Sequence, residues 1–331
     1  MKVLITGGCG FIGSNFIHYI FKSTNWDIIN IDSLTYAGNK NNLKEIEDNE
    51  RYTFLQKDIR NCFDFIDELK GIGYVVHFAA ESHVDRSIKD PAPFISTNVL
   101  GTQVLLEVCR KIGIKRFIHV STDEVYGSIE NKLDKFNEDS PLLPNSPYSA
   151  SKASGDLIAS AYNKTYGFPS IIVRPSNNYG YYQFPEKLIP LTITNLIEDL
   201  PIPIYGNGEN MREWLFVEDC CSGIYHILKK GLVGQAYNLG SGIERRTIDV
   251  TKFILNEMEK DPKKYLKYVK DRPGHDFRYA LDISKLSSLG WKPKTGFDDG
   301  MKKTIDWYIK NHKWWKPLKK KVDNQTKGFW N

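Results

Sequence analysis

The chain has 331 residues, 41% hydrophobic and 26% charged, with 45 Lys and Arg against 40 Asp and Glu for a formal net charge of +5. This apolar content fills a substantial core in one large or two modest domains, and so small a surplus is too diffuse for a nucleic-acid partner. Five cysteines (Cys9, Cys62, Cys109, Cys220, Cys221), none in a C-x-x-C pair or near a spaced His cluster, argue against a disulfide framework and a metal site.

The first residues run directly into a strand pattern, Lys2-Val-Leu-Ile-Thr6, and no run of 18 apolar residues follows, so the expectation is a cytoplasmic protein with no membrane partner. Short β-branched runs predict strands at 3–6, 28–31, 52–55, 74–78, 117–120 and 170–173. Amphipathic stretches predict helices at 12–21, 94–111 and 148–166, and right-handed crossovers place them on both faces of a parallel sheet. Beyond Arg174 the rhythm breaks into Pro- and Gly-rich loops at 185–190 and 201–208, where a second, smaller lobe begins. Residues 214–230 again read as strand then helix and could return to the main sheet. The expected division is therefore 1–174 with 214–238 as the nucleotide lobe, and 175–213 with 239–331 as the second lobe. Lys319-Lys320-Lys321 reads as a solvated tail.

Immediately after the first strand, Thr6-Gly7-Gly8-Cys9-Gly10-Phe11-Ile12-Gly13 places glycines at 7, 10 and 13 where strand turns into helix. The first permits a tight turn, the second lets the backbone approach a pyrophosphate, and the third lets the helix pack on the sheet. Amides at the helix N-terminus favour the anion. Asp32 lies 19 residues beyond Gly13, at the end of the second strand, where its carboxylate binds both adenosine ribose hydroxyls and repels a 2′-phosphate. The cofactor read from these residues is NAD. Asp58, ending the third strand, either reaches the adenine amino group or is a plain surface carboxylate.

Tyr148-Ser-Ala-Ser-Lys152 opens the helix at 148–166, and four-residue spacing puts phenol and ammonium on one face. A phenol with a pKa of about 10 is a poor base near neutrality. A neighbouring lysine and a positive nicotinamide ring would draw that value down. At the end of the fifth strand, facing the ligand crevice of an open parallel sheet, stands Ser121-Thr122-Asp123-Glu124-Val125-Tyr126-Gly127.

With this segment the chain resembles the extended short-chain dehydrogenase/reductase superfamily, and within it the nucleotide-sugar 4,6-dehydratases, those acting on dTDP-glucose above all. The resemblance runs nearly end to end. It rests on Ala79-Ala80-Glu81-Ser82-His83-Val84-Asp85-Arg86-Ser87, on the segments around Asp123 and Tyr148, on Ser176-Asn177-Asn178-Tyr179-Gly180, on Phe184 to Pro190, on Asp271-Arg272-Pro273-Gly274-His275-Asp276 and on Trp314-Trp315-Lys316-Pro317. The acid pair after Thr122 is the most specific of these, because epimerases and reductases of the superfamily lack it.

The resemblance implies an α/β fold, a Rossmann-type doubly wound parallel sheet with a smaller α/β substrate lobe. It implies a hydro-lyase that oxidises carbon 4 of a nucleoside diphosphate hexose, eliminates water across carbons 5 and 6, and returns the hydride to carbon 6. Glu124 is then the carbon 5 base, Asp123 the acid for the departing hydroxyl, Tyr148 the base at the carbon 4 hydroxyl and Thr122 a donor to the carbon 4 oxygen. Lys152 binds the nicotinamide ribose. Asp123 needs a raised pKa for this role. Phe11, Ile12, Ile59, Ala79 and Ala80 complete the NAD site. Ser82, Asn177, Lys187, Leu188, Tyr205, Arg212, Asn238, Arg272 and His275 form the substrate site, with Arg and Lys suited to a pyrophosphate and Tyr205 beside the base. A homodimer through the helices at 94–111 and 148–166 is also implied.

Two departures, Pro175 where Cys is usual and Tyr181 where Pro is usual, keep UDP-glucose and UDP-N-acetylglucosamine open beside dTDP-glucose. An epimerase or reductase leaves the acid pair without a task, and a catalytically silent dinucleotide-binding regulator leaves Tyr148 and Lys152 without one.

Overall fold

The structure is a computed structural model that describes residues 1–131 and 134–326; residues 327–331, the end of the expected second lobe, lie outside the described residues. The first strands are β1 (Lys2–Thr6), β2 (Asp27–Ile31), β3 (Tyr52–Leu55), β4 (Tyr74–His77), β5 (Arg116–Val120) and β6 (Ser170–Pro175). Beyond them come β7 (Asn177–Tyr179), β8 (Ile202–Tyr205), β9 (Met211–Phe216), β10 (Ala236–Leu239), β11 (Glu244–Arg246) and β12 (Leu266–Val269). Seven strands form one parallel sheet in the order β10-β6-β5-β4-β1-β2-β3. This is the doubly wound α/β arrangement expected from the alternation of strands and helices.

The central strands are apolar on both faces because helices cover both. On one face Phe16, Ile17 and Ile20 of helix Phe11–Ser23 meet Ile224 and Ile227 of helix Val217–Lys230. On the other, Leu105 and Leu106 pack with Ala159 and Phe168. Each fully buried Leu or Ile contributes about 1.5–3 kcal/mol. A third core gathers Trp214, Phe216, Tyr308 and Trp315, and β11-β9-β7 and β12-β8 form small separate sheets.

Three segments differ from the sequence reading. Trp214 lies in β9, which pairs with β7 and β11 of the small sheet, so the return to the main sheet is made by helix Val217–Lys230 and β10. The helix expected at 94–111 is interrupted by wider π turns over Ile95–Gly101 before Thr102–Ile112. In these turns Asn98 accepts from the Glu81 amide at 2.9 Å and donates to the Glu81 carbonyl at 3.0 Å and to Ser151 Oγ at 2.8 Å. Such turns are frequent at functional sites. Finally, the lysines at 319–321 belong to helix His312–Thr326, and Lys319 is not solvated: it is 2% exposed and pairs with Glu198 at 2.7 Å. Among the described residues no helix is long and apolar enough to cross a membrane.

Candidate active site

The turn from β1 into helix Phe11–Ser23 is forced to be glycine-rich by contact. Gly7 has φ +71°, and a Cβ on it would lie 2.6 Å from the Ala79 amide nitrogen; one on Gly13 would lie 2.3 Å from the Gly7 carbonyl oxygen. The helix N-terminus at Gly10 carries no side-chain cap, which leaves amide donors for an anion. Asp32 accepts from the Cys9 amide at 2.9 Å and from the Leu34 amide at 2.8 Å, which orients a carboxylate whose pKa burial raises.

A cleft of about 310 Å³ opens along the C-terminal ends of the strands. Gly7, Gly10, Phe11, Ile12 and Gly13 form its floor, with Asp32, Asp58 and Ile59 at one end. Ala79, Ala80, Ser82, Tyr148, Lys152 and Lys187 line the other. The backbone cradle, uncapped helix and fixed carboxylate fit a dinucleotide pyrophosphate and ribose. Asp58 faces the cleft but is held in an ion pair with Arg60 at 2.6 Å.

Ser146 and Ser149 cap helix Pro147–Tyr166 reciprocally, each amide donating to the other's side chain at 3.1 Å, and this fixes Tyr148 in the first turn. Lys152, one turn on and 4% exposed, donates to the Val120 carbonyl at 2.7 Å. Burial lowers its pKa to about 8, with Asp156 opposing. The Tyr148 phenol, however, is pushed well above its ordinary value by burial and by the charges of Glu124 and Asp123, with a hydrogen bond to Thr122 opposing. In the protein alone burial, and after it the acid pair, outweighs the lowering expected from Lys152.

Thr122 caps the 3-10 turn Asp123–Tyr126, accepting from the Glu124 amide at 3.3 Å and donating to Asp123 Oδ1 at 3.3 Å. The two carboxyls differ in environment. Asp123 is 2% exposed, its Oδ2 has no partner among the described residues, and burial, then Glu124 and Glu213, push its pKa well up. Glu124 is also raised by burial, but the cations Arg272, Lys187 and Arg212 oppose the rise. Burial and neighbouring carboxylates thus disfavour ionisation of Asp123, while three cations favour that of Glu124.

Those cations come from three segments beyond β6. Arg272 donates to Asp85 Oδ1 at 3.0 Å and Tyr205 to Asp85 Oδ2 at 2.9 Å. Arg212 is held by the carbonyls of Met211 at 2.7 Å and Asp276 at 2.8 Å, and its guanidinium lies 4.4 Å from the centre of the Tyr279 ring. Lys187 donates to the Ser82 carbonyl at 3.0 Å, and Leu188 begins the next helix, Leu188–Ile197. Asn177 Oδ1 is buried with no partner among the described residues.

His275 sits edge-on to Tyr205, 5.9 Å between ring centres, with Nδ1 2.6 Å from Asp271. Burial, then Arg272 and Arg212, take its pKa down to about 4, so it faces this site as a neutral donor or acceptor.

Asn238 stands apart from the substrate residues expected beside it. It is fully buried; its Oδ1 accepts from Tyr126 at 2.7 Å, and its Nδ2 donates to the Phe136 and Asp282 carbonyls at 2.9 and 3.2 Å. With both polar atoms satisfied, the side chain is a structural tie rather than a ligand. Conversely, Asn98, Asp156 and Glu213 shape the site without having drawn attention in the sequence, and Asp85, named there only within a motif, acts through Arg272 and Tyr205.

A family model described as GDP-mannose 4,6 dehydratase matches residues 4–304. A dTDP-glucose 4,6-dehydratase of Escherichia coli is 47% identical over 95% of both chains. Among solved structures, DesIV (dTDP-glucose 4,6-dehydratase) from Streptomyces venezuelae, crystallised with NAD bound, superposes with a TM-score of 0.94 at 47% identity, covering 96% of this chain and 100% of DesIV. A UDP-glucuronic acid 4-epimerase from Bacillus cereus gives a TM-score of 0.88 at 31% identity, over 94% of this chain and 99% of the epimerase. The dehydratase likeness is greater in both sequence and shape, and with the differentiated acid pair beside Tyr148 it identifies the chain as a member of the GDP-mannose 4,6 dehydratase family and, within it, of the dTDP-glucose 4,6-dehydratases.

Proposed function

We propose that this protein converts dTDP-glucose to its 4-keto-6-deoxy product with NAD as a recycled cofactor. The observation that carries this reading is the unequal acid pair, Asp123 shielded and Glu124 faced by three cations, beside Tyr148 and the glycine-rich cleft. NAD supplies a hydride acceptor at carbon 4 and the same hydride for carbon 6.

The chain's own residues move the protons. Tyr148, as the phenolate that Lys152 and the positive nicotinamide ring would favour once the cofactor is bound, takes the carbon 4 hydroxyl proton while Thr122 hydrogen-bonds the oxygen. Lys152, fixed on the Val120 carbonyl, keeps two N–H groups for the nicotinamide ribose. Oxidation acidifies the carbon 5 hydrogen. Glu124 removes it, and Asp123 protonates the carbon 6 hydroxyl as it leaves as water. Arg272, Arg212 and Lys187 hold the diphosphate, with Asn177 and His275 as hydrogen-bonding neighbours.

A second cavity of about 310 Å³ is lined by Leu191, Pro203 and Val269 with buried His83 and Glu186. Pro175 lies inside β6 and Tyr181 packs on Phe216 and Trp307; the 47% identity to a dTDP-glucose 4,6-dehydratase over 95% of both chains favours dTDP-glucose over the UDP sugars. Comparing kcat/KM for dTDP-glucose, UDP-glucose and UDP-N-acetylglucosamine tests this, and a clear preference for a UDP sugar overturns it.

We further infer a homodimer. Ile95, Leu100, Leu157 and Tyr166 are 51–63% exposed along the helical segments at 92–112 and 147–166, a stripe that a second copy would cover. A monomer mass independent of concentration in sedimentation contradicts it. Five buried free thiols fit a reducing compartment, the cytoplasm.

A further inference from the structure

One charged cluster remains without a task in the reaction just described. Asp156 lies one turn beyond Lys152 on helix Pro147–Tyr166 with its side chain 1% exposed, and accepts from Arg174 Nε of β6 at 2.8 Å. Arg174 Nη1 donates to the Tyr126 hydroxyl at 2.7 Å, and the guanidinium carbon lies 4.9 Å from the centre of the Tyr126 ring. Tyr126 is the last residue of the turn that carries Asp123 and Glu124.

We propose that the buried Asp156–Arg174 ion pair is a positioning device, locking the helix of Tyr148 and Lys152 in register with the turn of Asp123 and Glu124. Two parts of the chain that must meet one sugar ring, the base for carbon 4 and the acid–base pair for carbons 5 and 6, are thereby joined through one guanidinium. Stability alone gives little reason for such a pair: taking both charges out of water costs several kcal/mol, and apolar residues of similar volume are often as stable or more so. Its geometric return is directional, since Arg174 binds a carboxylate on one side and a hydroxyl on the other. Gly155 tightens the contact; a Cβ there would lie 2.9 Å from His119 Nε2, itself 3.4 Å from Asp156 Oδ1.

The inference rests on the dehydratase reading, and wild-type turnover of dTDP-glucose tests that reading separately. Three variants test the inference: Asp156→Asn, Tyr126→Phe, and the double variant Asp156→Asn/Arg174→Met, which removes both charges. For each, the thermal midpoint, amide exchange at 123–127 in the protein alone, kcat and KM, and carbon 5 hydrogen exchange are measured.

A misplacement of about 1 Å can cost roughly a hundredfold in rate. Asp156→Asn is therefore expected to lose roughly that factor in kcat with little change in KM, and to quicken amide exchange at 123–127. Tyr126→Phe should slow carbon 5 exchange more than carbon 4 oxidation, because it frees the acid-pair turn from Arg174 and Asn238 and leaves the Asp156–Arg174 pair in place. The double variant should regain thermal stability without regaining kcat. Recovery of kcat together with stability in the double variant, or unchanged protection of the turn in all three, overturns the proposal. Should Asp156→Asn fail to fold, the double variant and Tyr126→Phe decide the matter by the same criteria.

Discussion

The two ends of the active site are built by different means. At the dinucleotide end, β1, the glycine loop and the first helix are contiguous in sequence, and Gly7, Gly13 and Asp32 are fixed by steric contact and backbone amides. At the sugar end, Arg272 reaches Asp85 across 187 residues, and the cations around Glu124 come from three separate segments. The first end works by shape and backbone donors, the second by charges whose protonation depends on assembly. Perturbation should therefore act differently at each: by occupancy at the first, by rate at the second.

The largest effect is expected at the sugar end. Glu124→Gln removes the proposed carbon 5 base, and losing a positioned acid or base costs about a hundred- to ten-thousand-fold in rate. Stopped-flow absorbance should show reduced cofactor accumulating in the protein while carbon 5 exchange with deuterated water stops. Near-normal turnover would erase the distinction between the two ends.

At the dinucleotide end, Gly13→Ala forces a Cβ against the Gly7 carbonyl. Overpacking of this kind costs about 1–3 kcal/mol, roughly a five- to more than hundredfold loss in NAD affinity by calorimetry. The kcat of the loaded enzyme should change far less. A loss in kcat with intact affinity would show that the loop acts on chemistry as well as binding.

This contrast also explains what could be read from the chain. The glycine spacing, Asp32 and the four-residue step from Tyr148 to Lys152 are local patterns, and the cleft brings those residues together. The acid pair and its division of roles came with the resemblance, but the charges that differentiate it were not legible, because Glu213, Arg212 and Arg272 lie far along the chain. Helix periodicity gave no sign of the π turns that direct Asn98 to Glu81, nor that Trp214 pairs in a separate sheet. Lys319 looked like its exposed neighbours Lys320 and Lys321 until Glu198 was found beside it.

The pH dependence of kcat/KM separates the ends more gently. Burial takes Lys152 down to about 8, so its ammonium, needed for cofactor and Tyr148, is present below that value and lost as pH rises through it. An alkaline limb near pH 8 is expected, and it should vanish in Lys152→Met along with most activity. A smaller effect is expected at Asn238. Asn238→Ala leaves buried partners unsatisfied, at about 1–3 kcal/mol, and should lower the thermal midpoint with KM for dTDP-glucose unchanged. A large rise in KM would return Asn238 to the substrate site. Smallest of all, Lys320→Ala, on an exposed side chain, should alter stability by less than about 0.5 kcal/mol.

The central claim is that one hydride leaves carbon 4 and comes back at carbon 6 while Glu124 and Asp123 handle the protons between. Single-turnover conversion of dTDP-glucose deuterated at carbon 4, analysed by NMR and mass spectrometry, tests it most directly. The account predicts the deuterium in the carbon 6 methyl of the product, one solvent hydrogen at carbon 5, and no net reduced cofactor released. Loss of the label to solvent, or reduced cofactor accumulating in step with product, would contradict it.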